Sequence, residues 1–124
     1  MAANKNSGFK NCFFGNAQRR LDDKGRFHIP DIFKKVMQKR NSGELSFVFL
    51  EQDKVGETPS LSIFDAYYLL RHQKDYGALE KAVLYTGDRI LIPKKMADYA
   101  QLNGSVNVRA SEDGSYFYLY NQKR

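Results

Sequence analysis

Apolar positions in this chain fall into short blocks that alternate between a period of two and a helical period. Residues 12–21, "CFFGNAQRRL", read as extended and basic. "DDKG" interrupts them as a turn, and "RFHIP" resumes in steps of two, with Phe27 and Ile29 toward one face and Arg26 and His28 toward the other. Pro30 ends that strand and suits a first helical turn. "DIFKKVMQKR" then has a helical stripe: Ile32, Phe33, Val36 and Met37 on one side, Lys34, Lys35, Lys39 and Arg40 facing out. "NSG" stops the helix, "ELSFVFLE" is a buried strand, "QDKVGETP" a loop and "SLSIF" another strand. A helix over "DAYYLLRHQK" follows, capped by Asp65, with Tyr68, Leu69 and Leu70 as its apolar side and Gly77 as its end.

After Gly77 the same order begins again. "LEKAVL" is extended, "YTGD" a turn, "RILIP" a strand, "KKMADYAQL" a helix, and "SVNVRAS" and "SYFYLYN" are strands around the tight turn "EDG". Arg26 and Arg89 stand 63 residues apart, as do Pro30 and Pro93, and Leu21/Leu84 and Ile29/Ile92 are also identical at that spacing. The shared element order turns these four identities into an internal duplication. Each half has roughly 50 residues, too few to bury a core comfortably alone. The two are therefore expected to share one core about a pseudo-two-fold axis. The predicted organisation is a tail over 1–11, a first repeat over 12–65, a connecting helix over 66–79 and a second repeat over 80–124.

The first turn, "LDDKGRFHIP", has a derivable chemistry. Asp22 suits the first position of a type I turn, where its carboxylate accepts backbone N–H bonds. Gly25 falls where a positive φ makes a hairpin bulge, and the added twist re-aims Arg26. In "LYTGDRILIP" the equivalents are Tyr85 and Asp88. Asp88 is expected to take the positive φ, and loss of the first Asp predicts a looser turn. Arg26 has two readings at this stage. It forks onto a guanine edge in the major groove, or it pairs with Asp22 or Asp23 across the turn.

Charge bears on that choice. The net charge is +6. Residues 1–44 hold ten Lys/Arg and four Asp/Glu, and the remaining ten bases and ten acids cancel, so the whole excess lies in the half with "DDKGR". Arg19, Arg20, Lys24 and Arg26 surround the first turn. A one-sided basic surface is the footprint of a polyanion partner, and backbone phosphates would attract all four in a salt-dependent way.

Composition narrows the classes. The length is one domain's worth and a hydrophobic fraction of 42% suits a globular chain. No apolar run approaches the ~18 residues of a membrane span, and "MAANKNSGFKN" has no signal-peptide core. A cytoplasmic protein without membrane attachment is expected. The single Cys12 reads as a small buried hydrophobe. His28 and His72 have no Cys, Ser or phosphate-loop partner at motif spacing, so no metal, cofactor, small-molecule substrate or enzymatic reaction is expected. Tyr116, Tyr118 and Tyr120 alternate with Phe117 and Leu119, giving the last strand a tyrosine face that suits a subunit interface as well as a half-exposed sheet.

"FFGNAQRRLDDKGRFHIP" resembles the opening of MraZ proteins through Phe13, Gly15, Asp22, Lys24, Gly25, Arg26 and Pro30 at matching spacing. "RILIPKKMADYAQL" resembles the second copy and the wider AbrB-like group, and the likeness covers roughly residues 12–121. It implies a mainly β fold with short helices: two swapped-hairpin β-α-β-β repeats closing an AbrB/MraZ-like double-split β-barrel. It also implies a nucleoid-associated transcriptional regulator that forms ring-like homo-oligomers and binds direct repeats in double-stranded DNA before cell-division and cell-wall genes. Carried over, the DNA-contacting residues are Lys24, Arg26 and Arg89. The chain departs from the family in its second turn, in a shorter segment between the halves, and in ending at "NQKR" without a following helix. The rival expectation is a degenerate AbrB-like module, or an antitoxin-like regulator, that binds a protein through the tyrosine face.

Overall fold

The computed structural model describes residues 11–43, 45–72, 79–86 and 88–121. The expected tail over 1–11, except Asn11, and the expected helix end at Gly77 lie outside them. The fold is mainly β with short helices. Eight strands and three helices run in the order β1 (Asn16–Leu21), β2 (Arg26–His28), α1 (Asp31–Arg40), β3 (Phe47–Val55), β4 (Thr58–Phe64), α2 (Ala66–Arg71), β5 (Glu80–Val83), β6 (Arg89–Leu91), α3 (Lys94–Tyr99), β7 (Gly104–Ala110) and β8 (Phe117–Asn121). Six strands form an antiparallel sheet ordered β1-β7-β8-β4-β3-β5, and β2 pairs with β6 in a separate ribbon. The ribbon lies against both edge strands, β2 beside β1 and β6 beside β5.

Strands of the two halves are interleaved. β1 pairs with β7 and β5 with β3, while β2 pairs with β6 and β4 with β8. Replacing every strand by its counterpart four places along leaves this set of pairings unchanged. The ribbon shows it residue by residue: Arg26 faces Leu91, Phe27 faces Ile90 and His28 faces Arg89. Ile29 N–H donates to the Asp88 carbonyl at 2.8 Å, and Ile92 N–H donates to the Gly25 carbonyl at 2.9 Å. Both prolines open their helices with the same backbone, φ −56° and ψ 142° at Pro30 and φ −57° and ψ 142° at Pro93.

Period-two alternation fills the core. Phe27 and Ile90 point inward from the ribbon, and Val48, Leu50, Leu61, Ile63, Val106, Val108, Phe117 and Leu119 point inward from the sheet, all fully buried. Phe13, Phe33 and Phe117 pack ring against ring at 4.9–5.5 Å between centroids. Such contacts add to the area term, itself about 25 cal/mol per Å² of apolar surface.

Several expectations need correction. Arg40 does not face out: its side chain and that of Asp65 are each 1% exposed and pair through two bonds, Nη2 to Oδ1 at 2.6 Å and Nε to Oδ2 at 2.7 Å. Arg40 also donates to the carbonyls of Asn11 and Ser115 and lies over the Phe13 and Tyr67 rings. Asp65 in turn caps α2 by accepting from Tyr68 N–H at 3.0 Å. With its partners in place the buried arginine is tolerated; without them it would be strongly unfavourable. Ile32, expected in the core, is 53% exposed, because the α1 stripe is centred on Phe33 and Met37.

The "QDKVGETP" loop is mostly strand. β3 and β4 stay paired out to Val55 and Thr58, leaving Gly56 and Glu57 as the turn. Ser62 donates to Asp53 at 2.9 Å and Tyr99 donates its hydroxyl to the Asp53 carbonyl at 2.8 Å, which hold the extension. Pro59 sits where β4 pairs with β3 but not with β8, so its missing N–H interrupts no ladder on that side. The helix expected over 66–79 ends at Arg71, since His72 is already extended with ψ 102°. Leu70, expected on its apolar side, is exposed, and Tyr68 is the residue it buries.

Candidate nucleic-acid interface

The ribbon presents a largely polar outer face because its period of two leaves Arg26, His28 and Arg89, together with the exposed Leu91, opposite the buried Phe27 and Ile90. Antiparallel pairing puts Arg26 and Arg89 at opposite ends of that face. Each is delivered by the turn that precedes it.

The first turn forms as its sequence predicts. Gly25 has φ +83° and donates to the Asp22 carbonyl at 3.1 Å. A Cβ on Gly25 would come within 2.9 Å of the Ile92 carbonyl oxygen, so the site demands glycine by space as well as by φ. Asp22 Oδ1 accepts from Lys24 N–H at 2.9 Å and Arg26 N–H at 2.8 Å. Its Oδ2 accepts from Arg26 Nε at 2.5 Å. The Arg26 backbone N–H holds the Asp22 carboxyl below the usual carboxylate range, helped by the guanidinium and by Lys24 N–H. The carboxylate raises Arg26 above its ordinary value in return, chiefly through their side-chain hydrogen bond.

The Asp22 pairing engages Nε and restrains the guanidinium. The two terminal nitrogens make no bond among the described residues and remain a two-pronged donor at the surface. The ion-pair reading of Arg26 and the reading as an outward fork are thus compatible in one side chain.

The second turn is built differently. Tyr85 and Arg89 exchange backbone bonds, Tyr85 N–H to the Arg89 carbonyl at 3.0 Å and Arg89 N–H to the Tyr85 carbonyl at 3.2 Å. Thr86 has a positive φ of 52° in this turn, its hydroxyl donating to the Tyr85 carbonyl at 2.6 Å. With no carboxylate at position 85, the loop closes through backbone carbonyls instead. Arg89 is half-buried, and its Nε is buried with no partner among the described residues. Asp88 lies 3.6 Å from His28 Nδ1, so an acid stands beside the second arginine.

Arg19 and Arg20 come from β1. Arg19 is half-buried and donates to the Gln18 carbonyl at 2.8 Å, and Arg20 points to solvent. Arg20 and Lys24 form no side-chain bond among the described residues. The structure therefore gathers Arg20, Lys24 and Arg26 near the first turn and leaves Arg89 at the far end of the ribbon. His28, on the ribbon's outer face between Arg26 and the second turn, was not singled out by sequence; its alternation with Phe27 and Ile29 was the available signal.

No protein-family model matches the chain, and no curated protein matches it. Among the described residues no group of three or more His, Cys, Asp or Glu could hold a metal ion, and no helix is long and apolar enough to cross a membrane.

Proposed function

We propose that the protein is a DNA-binding transcriptional regulator of the MraZ kind. Under this reading the repeats over 12–65 and 80–124 are swapped-hairpin β-α-β-β units closing a double-split barrel. The interleaved pairing, unchanged when the halves are exchanged, supports that fold. The observation that carries the function is the Arg26 guanidinium, held by Asp22 through Nε with its terminal nitrogens unbonded among the described residues. A preorganised fork of this kind loses little freedom on binding and fits guanine O6 and N7. Lys24, Arg20 and, more weakly, Arg19 then meet backbone phosphates, while the half-buried Arg89 beside Asp88 contributes less.

One such turn gives a small contact, so we place several on a homo-oligomer, ring-like by the same resemblance. They engage direct repeats before cell-division or cell-wall genes, with the protein at the nucleoid. A mobility-shift titration with the protein's own promoter DNA over a salt series tests this. Binding should weaken steeply with salt, fall by about 10- to 100-fold in Arg26→Ala, and change less in Arg89→Ala. A complex containing a single chain would remove the oligomer from the proposal.

A second reading is a protein-interaction module without specific DNA binding. It is favoured by the outer sheet face, where Tyr118 and Tyr120 stand 5.7 Å apart and half-buried against the buried Ser60 and Ser62. Equal behaviour of wild type and Arg26→Ala in the shift assay would favour it.

A further inference from the structure

The two halves carry the same helix-opening ion pair with opposite polarity. In α1, Asp31 pairs with Lys35 at 3.3 Å; in α3, Lys94 pairs with Asp98 at 2.9 Å. At the 63-residue spacing Lys94 stands where Asp31 stands, and Asp98 where Lys35 stands. An acid in the first turn with a cation four residues later is the order that helix electrostatics favours. α3 has the reverse order. A residue set against the local electrostatic preference is expected where function, rather than stability, fixes its identity.

Interleaving decides what Lys94 faces. α3 begins beneath the first turn, tied there by the Ile92 N–H bond to the Gly25 carbonyl. Lys94, Lys24 and Arg20 line one groove of about 730 Å³ between that turn and α3. The cleft by the second turn, of about 400 Å³, has Asp31 and Asp88 against Arg19, Arg20 and His28. The acids of the larger groove are Asp22, Asp23 and Asp98. Asp22 is occupied by Arg26 and two backbone N–H groups. Among the described residues Asp98 is held only in the exposed pair with Lys94, whose side chain is 87% exposed. Such a pair is worth little and opens readily for a phosphate.

We propose that Lys94 binds a backbone phosphate of duplex DNA in the groove it shares with Lys24 and Arg20. The second half thereby anchors the DNA that the first half's turn reads. This rests on the DNA-binding reading.

Phosphate contacts are independent of sequence, so a short fluorescently labelled duplex of random sequence is a sufficient probe. Anisotropy over a salt series gives the slope of log Kd against log salt. Lys94→Ala should reduce that slope by about 0.9, one phosphate contact. Lys94→Arg should restore it, and Lys35→Ala, which removes the cation of the corresponding ion pair in α1, should leave it unchanged. An unchanged slope in Lys94→Ala, or an equal loss in Lys35→Ala, overturns the inference. If wild type binds and depends on Arg26 while Lys94→Ala changes nothing, the anchor alone is wrong. If wild type does not bind DNA at all, the underlying reading and the anchor both fall.

Discussion

The turn at residues 22–26 and the turn at residues 85–89 do the same geometric task with different chemistry. Both reverse the chain into a ribbon strand, and both lead on to a helix opened by a proline, Pro30 before α1 and Pro93 before α3. The first closes on a carboxylate that takes two backbone N–H groups and a guanidinium. The second closes on the backbone carbonyl of Tyr85. What the scaffold requires is therefore the ribbon pairing and the two prolines. The carboxylate is an addition, and it acts on the arginine: Arg26 is held at the surface, while Arg89 is left half-buried with an acid beside it. The interleaved pairing gives two equivalent places, and only the first has a carboxylate at the head of its turn to hold the arginine.

The largest difference between the halves lies behind the turns. The first half's helix ends in Arg40, which ties α1 to Asn11, Asp65 and Ser115. At the same 63-residue spacing the second half has Asn103, and α3 is tied to the long hairpin by the Tyr99 hydroxyl bond. Arg40→Met would leave Asp65 charged and buried without its partner, at a cost of about 3–5 kcal/mol. Tyr99→Phe should cost about 1 kcal/mol, the usual net value of one hydrogen bond. Urea denaturation of both variants measures the contrast. Similar losses would mean that the two straps are equivalent.

The positive-φ positions give opposite signs next. Gly25→Ala places a methyl against the Ile92 carbonyl at a left-handed backbone, and should destabilise by about 2 kcal/mol. Thr86→Gly relieves a β-branched residue at φ 52° and should stabilise by up to about 1 kcal/mol, less the hydroxyl bond it loses. Thermal melts of the two variants moving the same way would contradict the difference drawn between the turns.

The sequence made the first turn legible because Asp, Gly and Arg each have a local reason for their places. The ribbon strands and α1 were legible because "RFHIP" and "DIFKKVMQKR" carry clean periods. The second turn was less legible. Asp88 is a reasonable residue for positive φ, but no local rule marks Thr86, a β-branched residue, for the φ of 52° that it has in the 85–89 turn. Arg40 was misplaced for a different reason. On a helical wheel a terminal arginine reads as solvated, and its burial depends on Asp65, Asn11 and Ser115, from segments far apart in the chain. The β3–β4 extension was hidden by Gly56 and Pro59, which look like loop residues until the neighbour of each strand is known. Lys94 is the converse case. It is an ordinary exposed lysine until the interleaved topology sets it beneath the other half's turn.

The smallest effect separates the two turns by protonation. Asp22 has a partner set that binds only its ionised form, and Tyr85 offers no equivalent group. Because the folded-state value of Asp22 is depressed, its contribution is present above the unfolded carboxyl value of about 3.9. That contribution is lost as pH falls through the lower folded value. Asp22 lies at the surface of the turn, so the change in global stability should be slight and the readout must be local. In an NMR titration the Asp22 carboxyl carbon should show a midpoint below that of a free aspartate, and the amide protons of Lys24 and Arg26 should move with it. The Arg89 amide, bonded to a carbonyl, should not follow that transition. An Asp22 midpoint at or above the free value would mean that the carboxylate does not hold the turn in solution. Arg26 would then be no better oriented than Arg89.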